Sequence, residues 1–201
     1  MGTSPAEVPS ARERILDTAY ELFSRRGTHA VGVDAIVAGS GVAKMSLYRN
    51  FGSKDELILA FLRRREQVWV HEWLEAEVVS RASDPADRLL VIFDVMGEWF
   101  ARKDFEGCSF VSVLVGIDDP EHPVRQATIR HLAAMREWMA GLADAAGAQE
   151  PDAVARQWHL LLKGATISAL EGDLDAAGRA KELGQLLLDA VLPERVRPAK
   201  S

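Results

Sequence analysis

Residues 33 to 57, VDAIVAGSGVAKMSLYRNFGSKDEL, constrain the fold of this chain more than any other segment. Their apolar residues recur at helical spacing, and Gly41 interrupts the series near its middle. Glycine readily adopts the left-handed backbone conformation that a tight corner between two helices requires. The segment therefore predicts two short helices joined at Gly41, then a turn at Gly52 and the start of a longer helix.

The second of these short helices, residues 43 to 50, has the features of a helix that lies in a DNA groove. Leu47 supplies an apolar back, and the polar side chains are Lys44, Ser46, Tyr48 and Arg49. The cations can neutralise phosphates, the hydroxyls can donate to phosphate oxygens, and the guanidinium can also reach a guanine edge. Lys54, at the start of the next helix, would add a further phosphate contact. A helical hairpin with a charged, solvated surface remains an alternative at this point.

Composition limits the class of protein. The chain has 201 residues, of which 48% are hydrophobic, so it can bury a sizeable core. No apolar run approaches the roughly 20 residues of a membrane span, and the first residues have no apolar stretch typical of a secretory signal. Cys108 is the single cysteine, which excludes an intramolecular disulfide and a multi-cysteine metal site. We therefore expect a cytoplasmic protein.

The charge of the chain is unevenly distributed. The net charge of -6 argues weakly against nucleic-acid binding by the chain as a whole. Residues 1 to 60, however, hold seven Lys or Arg and seven Asp or Glu, so all of the net negative charge follows them. This asymmetry suits a small DNA-facing part attached to an acidic body.

Capping patterns predict where several helices begin. Ser10 and Glu13 form a capping box before the first helix, which we expect to end at Gly27, and Ser53 and Glu56 form a second one. Residues 54 to about 81 should form one long helix. Asp84-Pro85 starts the next helix, because proline is favoured at the first helical position. Residues 107 to 117 fit a helix or a strand, and the helical surroundings favour a helix.

The whole pattern predicts an all-α fold of about nine helices, the last three over residues 123 to 146, 152 to 171 and 175 to 192. We expect a three-helix helix-turn-helix DNA-binding domain over residues 10 to 55. A helical bundle over residues 56 to 192 should bind a ligand and dimerise. Residues 1 to 9 should be a disordered N-terminus, and residues 193 to 201 a flexible tail.

The N-terminal part resembles the DNA-binding domain of the tetracycline-repressor (TetR) family of bacterial regulators. The matching residues are Phe23, Gly27, Ile36, Gly41-Val42, Ser46-Leu47-Tyr48, Phe51, Ser53-Lys54 and Leu57. The resemblance implies a homodimeric transcriptional regulator, a repressor that a small-molecule effector releases from double-stranded operator DNA. It also implies phosphate contacts from Ser46, Tyr48 and Lys54, and base-edge contacts from Lys44, Met45 and Arg49. No cofactor, metal or catalytic residue is implied.

Two residues depart from the family pattern. Met45 stands where glycine is common, so its side chain could contact a thymine methyl group or narrow the choice of operator. Gly32 stands where Ser or Thr usually caps the second helix, so we expect that phosphate contact to be missing.

In this family the last two helices of each subunit form a four-helix interface. The residues that we expect there are Trp158, Leu161, Ala165, Ala169, Leu183 and Leu187. The alternative is that these stripes only fill the core of their own subunit. Two-fold symmetry is nonetheless needed to place two recognition helices about one DNA turn, roughly 34 to 36 Å, apart.

All five tryptophans lie after residue 60, which makes an aromatic cavity for a hydrophobic or aromatic effector plausible. The expected lining residues are Trp69, Trp73, Phe93, Met96, Trp99, Phe110, Leu114, Trp138 and Leu162. The alternative for each of them is ordinary core. Glu98 or Asp94 could favour a cationic ligand, against the simpler interpretation of an exposed acidic face.

The remaining reactive residues have weaker patterns. Cys108 could sense redox state, but a lone cysteine in an apolar run is more typical of a small buried residue. His122, His131 and His159, with nearby acids, could bind a metal, whereas helix capping by Asp119 and surface histidines explain them more simply. The sequence contains no phosphate-cradling glycine loop and no nucleophile elbow. An all-helical enzyme or a protein-binding adaptor without sequence-specific DNA binding therefore remains only as an alternative.

Overall fold

The computed structural model describes residues 9 to 192, and every regular element in that range is helical. The α-helices are α1 (Ala11–Ala30), α2 (Val33–Ser40), α3 (Lys44–Asn50), α4 (Lys54–Arg65), α5 (Ala76–Arg81), α6 (Pro85–Phe100), α7 (Ser109–Val115), α8 (Pro123–Ala145), α9 (Pro151–Leu170) and α10 (Ala176–Val191). A π-helical segment, Glu66–Glu75, joins α4 to α5. The predicted all-α class is confirmed. The predicted flexible tail and residues 1 to 8 of the predicted disordered N-terminus lie outside the described residues.

Most of the predicted helix starts are present in the structure. The Ser10 hydroxyl accepts from the Glu13 amide at 3.2 Å, and the Glu13 carboxylate accepts from the Ser10 amide at 2.7 Å, which completes a capping box. Asp84 accepts from the next two free amides, at 2.9 and 3.1 Å, with Pro85 in the first helical position. Ser53 accepts from the Glu56 amide at 3.1 Å, so it caps α4 as predicted.

Three helical boundaries differ from the sequence prediction or refine it. The first helix continues to Ala30, with a kink at Gly27, whose φ of 75° lies in the left-handed region. The long helix predicted from residue 54 to about 81 is helical throughout, but its centre is π-helical, so its side chains do not follow a 3.6-residue spacing. The ambiguous segment after Gly107 forms α7, so helix was the correct interpretation.

Contacts between residues divide the chain into two compact units. Unit 1 contains the residues up to Glu66 together with Ser109–Ile129, and unit 2 contains Gln67–Cys108 and the residues from Arg130 onward. Residues 109 to 129 lie in the second domain by the sequence prediction, yet their contacts group them with the first helices. The guanidinium of Arg125 donates to the Leu114 and Ile117 carbonyls, and His122 lies 3.4 Å from the Asp55 carboxylate.

The core of unit 1 forms where α1 packs against α2, α3 and α4. Phe23 and Phe61 meet edge to face with ring centroids 5.4 Å apart, and both are almost fully buried. Leu47, on α3, has no exposed surface. Burial of this one apolar face therefore determines which side of α3 points to solvent.

The core of unit 2 centres on Trp158. This residue of α9 is fully buried, and its indole N–H donates to the Leu89 carbonyl of α6 at 2.9 Å. The Phe93 ring lies 5.5 Å from the Trp158 ring. Gly184 of α10 makes room for both rings, since a Cβ there would lie 2.8 Å from the Trp158 ring. One indole thus joins the packing of α6, α9 and α10.

Candidate DNA-binding surface

The corner between α2 and α3 is built as the sequence predicts. Gly41 has φ 65° and ψ 23°, and its amide donates to the Val37 carbonyl at 3.2 Å, which ends α2 in a left-handed cap. Val42 and Leu47 are buried on the far side of this corner. The turn therefore holds α3 against the core while leaving its other face open.

The open face of α3 carries the side chains predicted to contact DNA. Met45 is 66% exposed and Tyr48 is 40% exposed, Lys44 and Arg49 are exposed, and Ser46 is half-buried. Lys54 is half-buried in the first turn of α4. Neither Arg49 nor Lys54 has an ion-pair partner in the part of the chain that the structure describes. These cations can therefore engage phosphates without breaking an internal ion pair.

Lys44 differs from the other cations, because its Nζ lies 2.8 Å from Asp34 Oδ1 at the start of α2. Both side chains are exposed, by 56% and 83% respectively. The hydrogen bond with Asp34, and then the charge of Asp34, raise the pKa of Lys44. Sequence reasoning missed Asp34. A DNA phosphate or base must compete with this carboxylate for the Lys44 ammonium.

Gly32 is the departure from the family pattern at the start of α2. It occupies the N-cap position of α2 and makes no side-chain hydrogen bond to the helix. Met45, the second departure, has an unbranched apolar side chain that projects into solvent beside Lys44 and Tyr48. An apolar side chain at this position can contact a thymine methyl group in a major groove.

The expected dimer residues are only partly at the surface. Trp158 is fully buried, and Ala165 and Ala169 are each 5% exposed, so the core of their own unit already uses them. This corrects their assignment to an interface. Leu161 and Leu187 are half-buried, and Leu183 is 54% exposed. The large apolar side chains that remain exposed on α9 and α10 are those of Leu160, Ile167, Leu170, Leu183 and Leu186, of which only Leu183 is in the predicted set.

The expected pocket residues lie in both units. Phe110 and Leu114 belong to unit 1, and the other seven belong to unit 2. In unit 2, the Trp99 ring contacts those of Trp69, Trp73 and Phe105 at centroid distances of 5.0, 6.4 and 4.7 Å. Leu162, Phe93 and Met96 are buried, and Trp138 is half-buried. Sequence reasoning missed Phe105 in this aromatic cluster.

The acids considered for a cationic ligand are already paired. Asp94 accepts from Lys181 Nζ at 2.6 and 2.7 Å, and Glu98 binds the guanidinium of Arg81. The hydrogen bond from Arg81 lowers the pKa of Glu98. The interpretation of Asp94 and Glu98 as receptors for a cation is therefore not supported.

The histidines occupy different environments. His122 pairs with Asp55, and its Nδ1 accepts from the Val124 amide at 3.3 Å. His159 is 3% exposed, so the prediction of a surface histidine is wrong there. Burial, followed by the charges of Lys163 and Arg136, lowers the pKa of His159 to about 3. No metal-binding group of His, Cys, Asp and Glu occurs within residues 9 to 192.

The other two reactive residues have simple environments. The Asp119 carboxylate accepts from the Glu121 amide ahead of α8. Cys108 is half-buried.

No helix among residues 9 to 192 has both the length and the apolar content needed to cross a membrane.

The recognition helix α3 has an exposed polar face and a buried apolar face, and the corner at Gly41 joins it to α2. This arrangement defines a helix-turn-helix DNA-binding protein. Comparison with known proteins agrees. The family described as bacterial regulatory proteins, tetR family, matches residues 15–61.

Relatives extend the match to most of the chain. A TetR transcriptional regulator from Streptomyces avermitilis has a solved structure that is 32% identical, covers 91% of this chain and 98% of its own, and superposes with a TM-score of 0.81. The HTH-type transcriptional regulator YjdC of Escherichia coli is 22% identical over 175 residues, 85% of this chain and 91% of its own. The HTH-type transcriptional repressor KstR2 of Mycobacterium tuberculosis is 33% identical over 90 residues, 43% of this chain and 42% of its own.

The chain belongs to the TetR family. It is a DNA-binding transcriptional regulator, so the predicted family and the predicted role in transcription are confirmed. Since these relatives are transcriptional regulators, the enzyme alternative is not supported.

Proposed function

We propose that the protein is a homodimeric repressor that occupies a double-stranded operator and leaves it when a small molecule binds unit 2. The observation that carries the DNA-binding part is the exposed face of α3. Arg49 has no ion-pair partner there among residues 9 to 192, and Met45 and Tyr48 project into solvent. Lys44 and Ser46 on the same helix, and Lys54 on α4, complete the proposed contact set. Such a protein acts in the cytoplasm, where bacterial operator DNA lies.

The DNA contacts should divide into two kinds. Tyr48, Ser46 and Lys54 would hold phosphates, which positions the protein but carries little sequence information. Arg49, Lys44 and Met45 would reach base edges and so select the operator. Because phosphate neutralisation releases counterions, operator affinity should fall steeply as salt concentration rises.

The proposed dimer rests on the apolar face of α9 and α10. Leu160 is 71%, Leu186 66%, Leu183 54% and Ile167 45% exposed, and α9 packs directly against α10. Leu160 and Ile167 are seven residues apart on one helix, and Leu183 and Leu186 are three apart on the other, so each pair shares one helical face. An apolar patch of this kind typically marks a protein–protein contact.

A charge placed on this face should separate the subunits. We expect a Leu160→Glu and Leu186→Glu double variant to sediment as a monomer and to lose operator binding, while its helical content stays unchanged. Val79→Glu is the control, because Val79 is also about half exposed but lies on α5. A double variant that remains dimeric would remove α9 and α10 as the interface.

Ligand response is proposed to pass along the continuous helical stretch from Lys54 to Arg81. Its first part, α4, follows the recognition helix, and its second part carries Trp69 and Trp73 of the aromatic cluster. A small change in this stretch would alter the separation of the two recognition helices. A ligand that shifts the population from 1:99 to 99:1 must prefer one state by about 5.5 kcal/mol.

The decisive experiment is footprinting on the DNA upstream of the gene for this protein, with and without candidate ligands. We expect one protected, two-fold symmetric site, and loss of protection with an effector that also changes tryptophan fluorescence. An adaptor would instead give a heteromeric complex and no footprint. A footprint that persists with every ligand that binds unit 2 would contradict a ligand-released repressor.

A further inference from the structure

Three basic side chains of unit 2, those of Arg136, His159 and Lys163, lie close enough for their charges to interact. We call them the basic cluster. His159 and Lys163 are four residues apart on α9, so they lie on one face of that helix. Arg136 comes from α8, and its charge acts on both of them. His159 is 97% buried, since only 3% of its surface is exposed, and Lys163 and Arg136 are half-buried.

The charges of this cluster are uncompensated in the part of the chain that the structure describes. Lys163 and Arg136 have no ion pair there, and the Arg136 guanidinium donates to the Leu132 carbonyl of its own helix. No carboxylate is among the groups that shift the pKa of His159 or Lys163, whereas burial and then Arg136 lower the pKa of Lys163. Cys108 is the one group that opposes this change. Partly buried charges are normally paired, so this cluster lacks a negative partner.

The imidazole of His159 adds a second, independent observation. It makes no hydrogen bond to any residue within the described range, although buried polar groups in proteins are nearly always bonded. Its ring nitrogens are nonetheless not fully enclosed. Among residues 9 to 192, the Ser109 hydroxyl is the only fully enclosed polar side-chain atom without a hydrogen bond. Solvent therefore reaches the ring nitrogens, and a ligand atom can replace water there.

We propose that Lys163, Arg136 and His159 bind the negatively charged head of the effector, a carboxylate or a phosphate with an apolar tail. This rests on the proposed function only in taking unit 2 as the ligand-binding part. The two cations supply charge-assisted hydrogen bonds, which are the strong ones, and His159 supplies a neutral N–H. Met135 and Met139 flank Arg136 on α8 and are almost fully buried, so apolar surface lies beside the cationic head site.

The paired acids of the same unit favour an anion over a cation. Asp94 and Glu98 are bound by Lys181 and Arg81, so they offer no free negative charge to a ligand. The uncompensated charge of unit 2 is therefore positive at this cluster. The charge distribution therefore favours an anionic effector over a cationic one, a choice that the tryptophan content alone leaves open.

The test is direct binding to the full-length protein without DNA, by calorimetry and thermal melting. The probes are decanoate, 1-decanol, which has the same chain without the charge, and inorganic phosphate, which has the charge without the chain. We expect decanoate or phosphate to raise the melting temperature and 1-decanol to bind at least about tenfold more weakly than decanoate. Tighter binding of decanoate than of phosphate would support an amphiphile, whereas binding of phosphate without binding of decanoate would contradict the apolar tail.

The matched variants are Lys163→Gln and Arg136→Gln, with Arg130→Gln as the control. Arg130 also lies on α8 but is exposed. Lys163→Gln and Arg136→Gln should each weaken anion binding by at least about tenfold, while Arg130→Gln should bind like the parent. Failure of the parent to bind either anion, or unchanged binding by both cluster variants, would overturn the proposal. Because no DNA is present, these results do not depend on whether the operator footprint is found.

Discussion

The two units differ in where they place the cations that have no ion-pair partner among the described residues. In unit 1, Arg49 is exposed on α3, and Lys54 is half-buried in the first turn of α4, five residues further along the chain. In unit 2, Lys163 and Arg136 are half-buried on different helices beside the buried His159. Cations on neighbouring helices of the DNA-facing surface suit an extended polyanion such as DNA, whereas half-buried cations beside a buried imidazole suit one small anion.

The same contrast applies to apolar side chains. Unit 1 leaves Met45 on its DNA-facing surface, and unit 2 encloses Trp158 completely. A substitution on the surface of α3 should therefore change binding and leave the fold intact. A substitution in the α6–α9–α10 core should change folding first. Four experiments, from the largest expected effect to the smallest, test this division.

Trp158→Ala should lower the free energy of unfolding by about 3 to 5 kcal/mol, because it removes the largest fully buried side chain of unit 2. Trp158→Phe should cost less, because it removes one indole hydrogen bond, about 0.5 to 1.5 kcal/mol, and part of the ring. Denaturant unfolding measures both. A loss below about 1 kcal/mol for the alanine variant would contradict the central position of this indole.

His159 should make the protein sensitive to acid. Its pKa is about 3 in the folded protein, so below pH 6.5 the unfolded chain takes up a proton that the folded chain does not. The stability present at neutral pH is therefore lost as pH falls from 6.5 towards 3, by about 2 kcal/mol at pH 5. His159→Gln should reduce this loss in urea unfolding at pH 7 and pH 5. His71→Gln, at an exposed histidine on the π-helical segment, should behave like the parent.

Tyr48→Phe should weaken operator binding by about 1 kcal/mol for each recognition helix, the value of one phosphate hydrogen bond. Tyr48→Ala should weaken it further, since it also removes the 40% exposed ring. Both variants should melt at the temperature of the parent. Gel-shift titration at two salt concentrations provides the affinities, and parental affinity for Tyr48→Ala would rule out this face of α3.

Asp34→Asn should have the smallest effect and the opposite sign. It removes a negative charge from the DNA-facing surface and releases Lys44, so operator affinity should rise slightly, as expected for an exposed ion pair. The dependence of affinity on salt should become steeper, by about 0.9 for each additional phosphate contact. Asp17→Asn is the control, because it removes the same charge from an ion pair with Arg64 on α1 and α4. Lower affinity for Asp34→Asn would show that the pair positions Lys44 productively.

Sequence reasoning succeeded where the determinants are local. The corner at Gly41, the cap at Asp84 and the exposed side of α3 each depend on residues a few positions apart, whose spacing determines their geometry. Sequence reasoning failed where buried and exposed apolar residues follow the same pattern along a helix. Trp158 and Leu160 lie two residues apart on α9, yet one is fully buried and the other is 71% exposed.

The amino-acid sequence by itself determined the helical class, the helix-turn-helix and the six candidate DNA contacts, because helical periodicity and turn chemistry act over short distances. Only the tertiary structure decided that Trp158 belongs to the core, that Asp34 binds Lys44, and that His159 is buried. These properties depend on which helices pack together, through contacts between residues up to 69 positions apart in sequence. Burial and pairing of charge arise from that packing, and no local pattern contains them.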